Sequence, residues 1–230
     1  MTDAGTGQKE AIMSAKQVKN VEPEIVIPKL NIGKIKLEIK GIAPLVCHKW
    51  SEKAKKEMLD KQMKVAKRAK EAKDPYKDFL SSLYFIEGAP DVPEGELKFA
   101  STMCGFPAVA FKKAAVSACR QVSGIPMTQA RQMIFVLGNC LGTNGEDLVE
   151  IKGEVSMRED MVRIDGGRTA DIRYRGQIVG WSTTLIIEYD ADVLSAEQVV
   201  NLFSRAGWGV GIGEDRPEKS GGQWGRYELA

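Results

Sequence analysis

The sequence contains few of the residues that usually build metal and catalytic centres. Histidine occurs once in 230 residues, as His48, and the four cysteines include no CxxC pair. Because a zinc site needs closely spaced cysteine and histidine ligands, the sequence predicts no metal site. It also offers no serine–histidine–aspartate set and no phosphate-binding loop motif. We therefore expect no metal, no cofactor and no enzymatic activity, with the thiols reduced and buried.

Long apolar runs are also absent. No stretch approaches the roughly 18 apolar residues that a membrane helix requires, and the apolar residues 11–13 are followed at once by Ser14 and Lys16. This pattern lacks a signal-peptide core, so we expect a cytoplasmic protein with no membrane partner. Residues 1–20 are polar and aperiodic, which predicts a disordered leader. A hydrophobic fraction of 43% predicts one folded domain over residues 21–230.

Side-chain periodicity predicts an α+β domain. Apolar residues alternate with polar ones in two segments, Ile35–Leu45 and Ile178–Tyr189, which we expect to be strands of one antiparallel sheet. Apolar stripes with helical spacing in Ala108–Val122 and Ser195–Ala206 predict two helices on one face of that sheet. The order of elements approximates the βαββαβ plan, so we expect a modified ferredoxin-like, or RRM-like, sheet.

Two segments fall outside this plan and are predicted to be insertions. The first, at about residues 51–80, is basic and helical: ten lysines and arginines and four acidic residues lie between Lys49 and Lys73. The second, at about residues 158–177, is a projecting arm with five arginines. Local positive charge attracts polyanions even though the whole chain carries only +2. The alternatives are a solvated helical face for the first and, since acidic residues interleave with the arginines, an inter-subunit salt-bridge surface for the second.

The C-terminal segment from Ser195 predicts a capped helix, a glycine-rich loop and a short aromatic strand. Ser195 and Gln198 form a capping-box pattern, and Gly207 stands where a left-handed residue would end the helix. Glycines then recur up to Gly213 and again from Gly221. Dense glycines let another backbone approach closely, and the interleaved tryptophans and arginines can stack on bases and pair with phosphates. Core packing is the alternative for the tryptophans.

These features resemble the RAMP superfamily, most of all the repeating backbone subunits of CRISPR effector complexes and related phage or mobile-element proteins that bind nucleic acid. One element of the resemblance is a first strand that leads into an insertion (Lys34–Trp50). Another is the glycine loop with its closing strand (Gly207–Gly213 and Gly221–Tyr227). The third is a glycine–proline start of a basic helix, formed by Gly105, Pro107, Phe111, Lys112, Ala115 and Arg120.

The resemblance implies a non-catalytic protein that coats single-stranded RNA or DNA with little sequence dependence. Its copies would associate head to tail into rings or filaments, with the helix start, the glycine loop and a thumb-like hairpin holding the strand. A basic groove that tracks phosphates, with stacking worth about 1–3 kcal/mol per base, gives binding of this kind. The residues expected to contact nucleic acid are Lys49, Lys53, Lys56, Lys64, Lys67, Arg68, Lys112, Lys113, Arg120, Arg163, Arg168, Arg173, Arg175, Trp208, Gly209, Gly211, Gly213, Arg216, Trp224 and Arg226.

Two other functional classes remain open. Some RAMP relatives are endoribonucleases that use a histidine as general base against a 2′-hydroxyl, and His48 could do this work. We expect instead that His48 lies at a strand end with no residue to orient it. The other class is a structural or protein-binding module, such as a virion part or an inhibitor. RNA cannot be told from DNA, because the difference depends on a 2′-hydroxyl contact that the sequence does not place.

Overall fold

The computed structural model describes residues 26–65 and 72–230. The predicted leader, and Lys67 and Arg68 of the predicted binding residues, lie outside the described residues. The strands are β1 Ile32–Gly41, β2 Leu45–Val46, β3 Tyr84–Phe85, β4 Lys98–Ala100, β5 Cys104–Pro107, β6 Ile134–Leu137, β7 Cys140–Leu141, β8 Asp147–Glu150, β9 Lys152–Ile164, β10 Thr169–Asp190 and β11 Tyr227–Leu229. The helices are α1 Glu52–Gln62, α2 Pro75–Ser81, α3 Ala108–Ala118, α4 Met127–Met133, α5 Ala196–Arg205 and α6 Pro217–Ser220. Antiparallel sheets combined with helices confirm the predicted α+β class.

The larger sheet is organised around β10, which is 22 residues long. Its first half pairs with β9, and its second half lies between β1 and β6. The strand order through the second half is β11–β1–β10–β6, with every neighbouring pair antiparallel. The two long predicted strands therefore lie in one sheet, as expected. A smaller sheet has the order β3–β5–β8–β7.

The core lies between the larger sheet and the helices α3 and α5. Alternation in β10 turns Trp181, Leu185 and Ile187 to the inner face, where all three are fully buried. They belong to one apolar cluster with Phe111 of α3 and Phe203 of α5. Burial of each large apolar side chain stabilises the fold by roughly 1.5–3 kcal/mol. The predicted packing of both helices on one face of the sheet is observed.

The end of α5 differs from the prediction for Gly207. The helix does not stop in a left-handed glycine but continues through a wide turn, Ala206–Val210. Gly207 is needed for another reason, since a Cβ at this position would collide with the backbone and ring of Tyr227 in β11. The first left-handed residue is Gly211, with φ 71°. The glycine therefore brings the helix against the closing strand.

The two predicted insertions have distinct structures. The first contains α1, whose N-cap Ser51 accepts a hydrogen bond from the Ala54 amide, and α2, which begins at Pro75. The second is the outer part of the β9–β10 hairpin, which turns at Asp165–Gly167. No helix in the described ranges has both the length and the apolar character needed to cross a membrane.

Candidate nucleic-acid interface

A cleft of about 330 Å³ lies between the first half of α3 and the segment Gly211–Arg216. Two cations that the sequence predicted to bind nucleic acid, Lys113 and Arg216, line this cleft together with His48 and Tyr84. Gly211 and Gly213 form part of its wall. The fold thus brings together the helix start and the glycine loop, which are separated by about a hundred residues in the chain.

The N-terminus of α3 faces this cleft through Pro107, Val109 and Ala110. Pro107 is the N-cap residue, and it offers no side-chain acceptor to the amides of the first turn. The first amides of a helix have no partner inside the helix, and they carry the positive end of its dipole. An anion in the cleft would therefore meet amide donors as well as the two cations.

His48 is held by a carboxylate, contrary to the expectation that nothing orients it. Its Nδ1 lies 3.3 Å from Oε1 of Glu214. The ammonium of Lys219 donates to the same carboxylate at 2.7 and 2.9 Å. The hydrogen bond with His48, followed by the contact with Lys219, lowers the pKa of Glu214 to about 2 despite partial burial. No pattern in the sequence indicated this partner, because His48 and Glu214 lie far apart in the chain and only the fold brings them together.

The second acidic residue of the cleft, Glu218, is also engaged by neighbours. It accepts a hydrogen bond from the hydroxyl of Ser117 and lies 3.4 Å from guanidinium nitrogens of both Arg120 and Arg216. Arg216 also donates to the carbonyl of Gly213 at 3.0 Å. Lys113 is exposed and forms no ion pair with any residue that the structure describes. It is therefore the cation most readily available to a ligand.

The glycines of the C-terminal loop serve internal packing more than the close approach of a ligand. A Cβ on Gly213, where φ is 79°, would lie 2.6 Å from the carbonyl oxygen of Val46. The amide of Ile212 donates to Gly225 at 3.0 Å, and the amide of Glu214 donates to Val46 at 3.0 Å. The loop is thus fastened to the end of β2. It provides a fixed wall for the cleft.

The arginines of the hairpin divide into two groups. Arg163 and Arg168 are exposed near the turn. Nearer the sheet, Arg158 and Arg175 share the carboxylate of Asp160, at 2.7 and 3.5 Å. These internal pairs satisfy charges that the sequence had offered for contacts between subunits.

Arg173 lies 3.7 Å from Asp171, which also pairs with Lys73 at 2.8 Å. Arg175 is buried, and its Nε has no hydrogen-bond partner among the described residues. Neither arginine therefore presents a free guanidinium at the hairpin surface. The two near the turn remain the exposed cations of this element.

A second cavity, of about 220 Å³, lies at the root of this hairpin. The guanidinium of Arg158 stacks over the ring of Trp224, 4.6 Å from its centre. Both residues line the cavity, as do Arg175 and Lys219. Glu214 lines this cavity and the cleft, so the two sites share a wall.

Trp208 is the most exposed tryptophan, with 70% of its surface accessible. The guanidinium of Arg226 covers one face of its ring at 4.3 Å and donates to its carbonyl at 3.2 Å. Trp208 does not line the cleft, and Gly209 beside it faces the side chain of Gln121. Core packing, the alternative for Trp208 and Trp224, does not apply to Trp208, and Trp224 is half-buried with its ring against Arg158.

Other predicted residues lie away from the cleft. Lys49 forms an ion pair of 2.7 Å with Glu146 and lies 5.5 Å from the centre of the Tyr84 ring. Lys112 lies over Phe135 at 3.8 Å, and partial burial lowers the pKa of its ammonium. The remaining described cations of the first insertion, Lys53, Lys56 and Lys64, are exposed on or next to α1. Tyr84, which the sequence did not indicate, joins the site because β3 places it beside the cleft.

Within residues 26–65 and 72–230, no group of three or more histidine, cysteine or acidic side chains could hold a metal ion. The four cysteines are free, and burial raises the pKa of Cys104 to about 12. A thiol with a raised pKa is a poor nucleophile near neutral pH. Besides Glu214 and Glu218, the cleft is lined by two cations, one imidazole and the N-terminus of α3.

Comparison with known proteins gives little beyond a distant structural likeness. No protein-family model matches the sequence, and no curated protein matches it. Among solved structures 28 chains match. One is a chain of the type III-B Cmr-beta complex, seen by cryo-EM bound to cognate target RNA, with 10% identity and a TM-score of 0.42. The match covers 86% of this protein and 59% of that chain, and at this TM-score it carries no argument about function.

Proposed function

We propose that the protein is a non-catalytic, largely sequence-independent binder of single-stranded RNA or DNA. The observation that carries the proposal is the cleft in which Lys113, Arg216 and the N-terminus of α3 converge. Its volume of about 330 Å³ suits a phosphate with part of its sugar better than a whole large substrate. A cleft that holds the phosphate and not the base makes no contact that would select a sequence.

The acidic residues of the cleft do not prevent the binding of a phosphate. Glu214 is neutralised by Lys219 and hydrogen-bonded to His48, and Glu218 is shared by two arginines and a serine. Exposed ion pairs are worth about 0–1 kcal/mol, so a phosphate can replace Glu218 as the partner of Arg216 at small cost. The strand order β11–β1–β10–β6 is compatible with the ferredoxin-like plan expected from the sequence, and the proposal draws support from that compatibility.

The hairpin and Trp208 extend the proposed binding surface beyond the cleft. Exposed Arg163 and Arg168 would contact the backbone of the strand, and Trp208 would stack on a base. We further propose that copies of the protein associate head to tail along the strand. An association of that kind propagates when its contact does not close on itself.

Fluorescence anisotropy with short labelled oligonucleotides tests the binding proposal. We expect the double variant Lys113→Gln, Arg216→Gln to weaken binding of poly-U and poly-dT by similar factors, about tenfold or more, because each lost charge-assisted contact costs about 1.5–3 kcal/mol before compensation. Arg131→Gln is the matched control, since Arg131 is exposed on α4 and does not line the cleft. Unchanged affinity in the double variant, or a preference for duplex, would contradict the proposal.

A second candidate function is metal-independent cleavage of RNA. The observation that favours it is the pair of His48 and Glu214 in the cleft. If Nδ1–H of the imidazole donates to the carboxylate, Nε2 is left to accept a proton from a 2′-hydroxyl. Incubation of RNA with the protein in chelator tests this candidate. We expect no cleavage by the wild-type protein, whereas cleavage that is lost in His48→Ala would establish the nuclease.

A further inference from the structure

The backbone on both sides of His48 is fixed, so the imidazole has a defined place in the wall of the cleft. The preceding amide, of Cys47, donates to the carbonyl of Gly176 at 2.8 Å. The following amide, of Lys49, donates to the carbonyl of Ser82 at 2.9 Å. A side chain carried on a fixed backbone loses less entropy when it binds a ligand than one carried on a mobile loop.

The contact with Glu214 orients the imidazole and leaves one of its nitrogens for a ligand. Nδ1 lies 3.3 Å from Oε1 of Glu214, so Nε2, on the opposite side of the ring, takes no part in this contact. The side chain of His48 is 38% exposed. In a neutral imidazole with the proton on Nδ1, Nε2 presents a lone pair that repels phosphate oxygens. In an imidazolium both nitrogens are donors, so Nε2–H can donate to a phosphate while Nδ1–H donates to the carboxylate.

The charge of His48 has a large effect on the charge of the cleft. The rest of the lining contains two cations, Lys113 and Arg216, and two carboxylates, those of Glu214 and Glu218. Because two positive and two negative charges cancel, the lining is neutral with a neutral imidazole and positive with an imidazolium. Protonation of one side chain therefore favours an anion in the cleft.

The other titratable groups around His48 keep their charge near neutral pH. Burial raises the pKa of Tyr84 to about 12 and also raises the pKa of the Cys47 thiol, so both groups stay neutral. The charged side chains that line the cleft or pair with its lining are Lys113, Arg120, Glu214, Arg216, Glu218 and Lys219. Lysine, arginine and glutamate ordinarily keep their charge between about pH 6 and 8, whereas histidine changes its charge there.

We propose that the imidazolium of His48 is a phosphate ligand of the cleft, and that binding of a strand is coupled to uptake of a proton by this side chain. The phosphate would accept from Nε2–H of His48 as well as from Lys113 and Arg216. Because the complex holds more protons than the free protein, affinity falls as the pH rises. A phosphodiester keeps one negative charge throughout this range, so the proton belongs to the protein. This inference rests on the proposed binding function and adds a ligand and a pH dependence to the same site.

Fluorescence anisotropy with short poly-U and poly-dT at several pH values tests the coupling. We expect the affinity of wild type to rise about three- to tenfold from pH 8 to pH 6, by the same factor for both strands. The affinity of His48→Gln should stay constant across this range. His48→Arg carries a fixed charge, so its affinity should also stay constant but exceed that of wild type at pH 8. Lys113→Gln is the matched control, which should bind more weakly at every pH and keep the pH dependence.

Two results of the anisotropy series would overturn the proposal. One is a wild-type affinity that does not change with pH, or a pH dependence that is retained in His48→Gln. The other is a pH dependence seen with poly-U alone, which would assign the proton to a contact with the 2′-hydroxyl and not with the phosphate.

NMR separates this proposal from the proposed function. His48 is the only histidine among the 230 residues, so its imidazole protons give a single set of signals in the untagged protein. Sulfate serves as the probe because its charge does not change in this pH range. We expect sulfate at pH 7 to move these signals toward the positions of the imidazolium, and Lys113→Gln, Arg216→Gln to reduce the effect. If sulfate has this effect but no strand binds, the anion site stands and the binding function fails. If sulfate leaves the signals in place, His48 is not an anion ligand, whether or not strands bind.

Discussion

At the scale of single residues, Glu214 connects several parts of the candidate site. Its carboxylate accepts from Lys219, contacts His48, and forms part of the wall between the cleft and the cavity at the hairpin root. The residues on either side of that wall come from segments far apart in the chain. One side chain therefore fixes the relative position of the imidazole and the glycine loop.

We expect Glu214→Gln to lower the free energy of unfolding at neutral pH by about 1 kcal/mol, the value of a charge-assisted hydrogen bond reduced for partial exposure. The folded pKa of about 2 lies below the ordinary value of 4.5, so the carboxylate stabilises the fold above pH 4.5. That contribution falls away between pH 4.5 and about 2. Urea unfolding of both proteins across this range is the measurement. If the difference in the free energy of unfolding between the two proteins grew as the pH fell, it would contradict stabilisation by the Glu214 carboxylate.

The sequence shows where charged side chains occur along the chain. It could not predict which of them form ion pairs within the fold. Lys49 is paired with Glu146, and Arg158 and Arg175 share Asp160. Such partners are set by strand register and loop position, which arise only when the whole sheet forms. Lys113 and Arg216 were predicted by the same reasoning, and these two converge on one cleft.

At the scale of elements, periodicity was sufficient where one face of an element is buried. It predicted β10 through Trp181, Leu185 and Ile187, and it predicted α5 through its capping box, which is observed. It could not predict that β10 runs on from the core into the hairpin, because residues 169–174 pair only with β9 and are exposed or half-buried. The small sheet β3–β5–β8–β7 was missed because its strands have two to four residues.

The outer hairpin provides a prediction for this scale. Replacing Val162–Tyr174 by a short glycine linker should leave a folded protein, since the residues nearest the turn pair with one another and Ile172–Tyr174 pair only with the adjacent residues 159–161. We expect binding of a one-protomer oligonucleotide to be weakened only slightly, because Lys113 and Arg216 remain, while cooperative binding on long strands is reduced. Band shifts on short and long poly-U measure the two effects. Full loss of short-strand binding would place the main site on the hairpin and not in the cleft.

At the scale of the whole molecule, local charge matters more than the net charge of +2. Cations are concentrated on α1, at the cleft and near the hairpin turn, and carboxylates are concentrated in the loop Glu87–Leu97. The electrostatic potential therefore differs strongly from one part of the surface to another. An uneven field favours both the capture of a polyanion and the ordered association of copies.

We expect affinity for poly-U to fall linearly with salt on logarithmic axes, with a slope of about −0.7 for each phosphate neutralised. The variant Lys113→Gln, Arg216→Gln should reduce the magnitude of that slope by about 0.7 to 1.4, which is the contribution of one to two phosphates. Arg131→Gln should leave it unchanged, because Arg131 lies outside the cleft. A salt-independent affinity would show that phosphates do not dominate the contact.

Strand β10 gives the molecule the mechanics of a cantilever. A single run of 22 residues, about 70 Å if fully extended, reaches from the hairpin turn to the centre of the core. Beside Gly180, where φ is 58°, the pairing with β9 shifts register between Val179 and Ser182. We expect a load applied at the hairpin turn to bend the strand at this irregularity and to be borne by the half that lies between β1 and β6. A nucleic-acid strand bound at the hairpin turn would transmit force along β10 to the core of the fold.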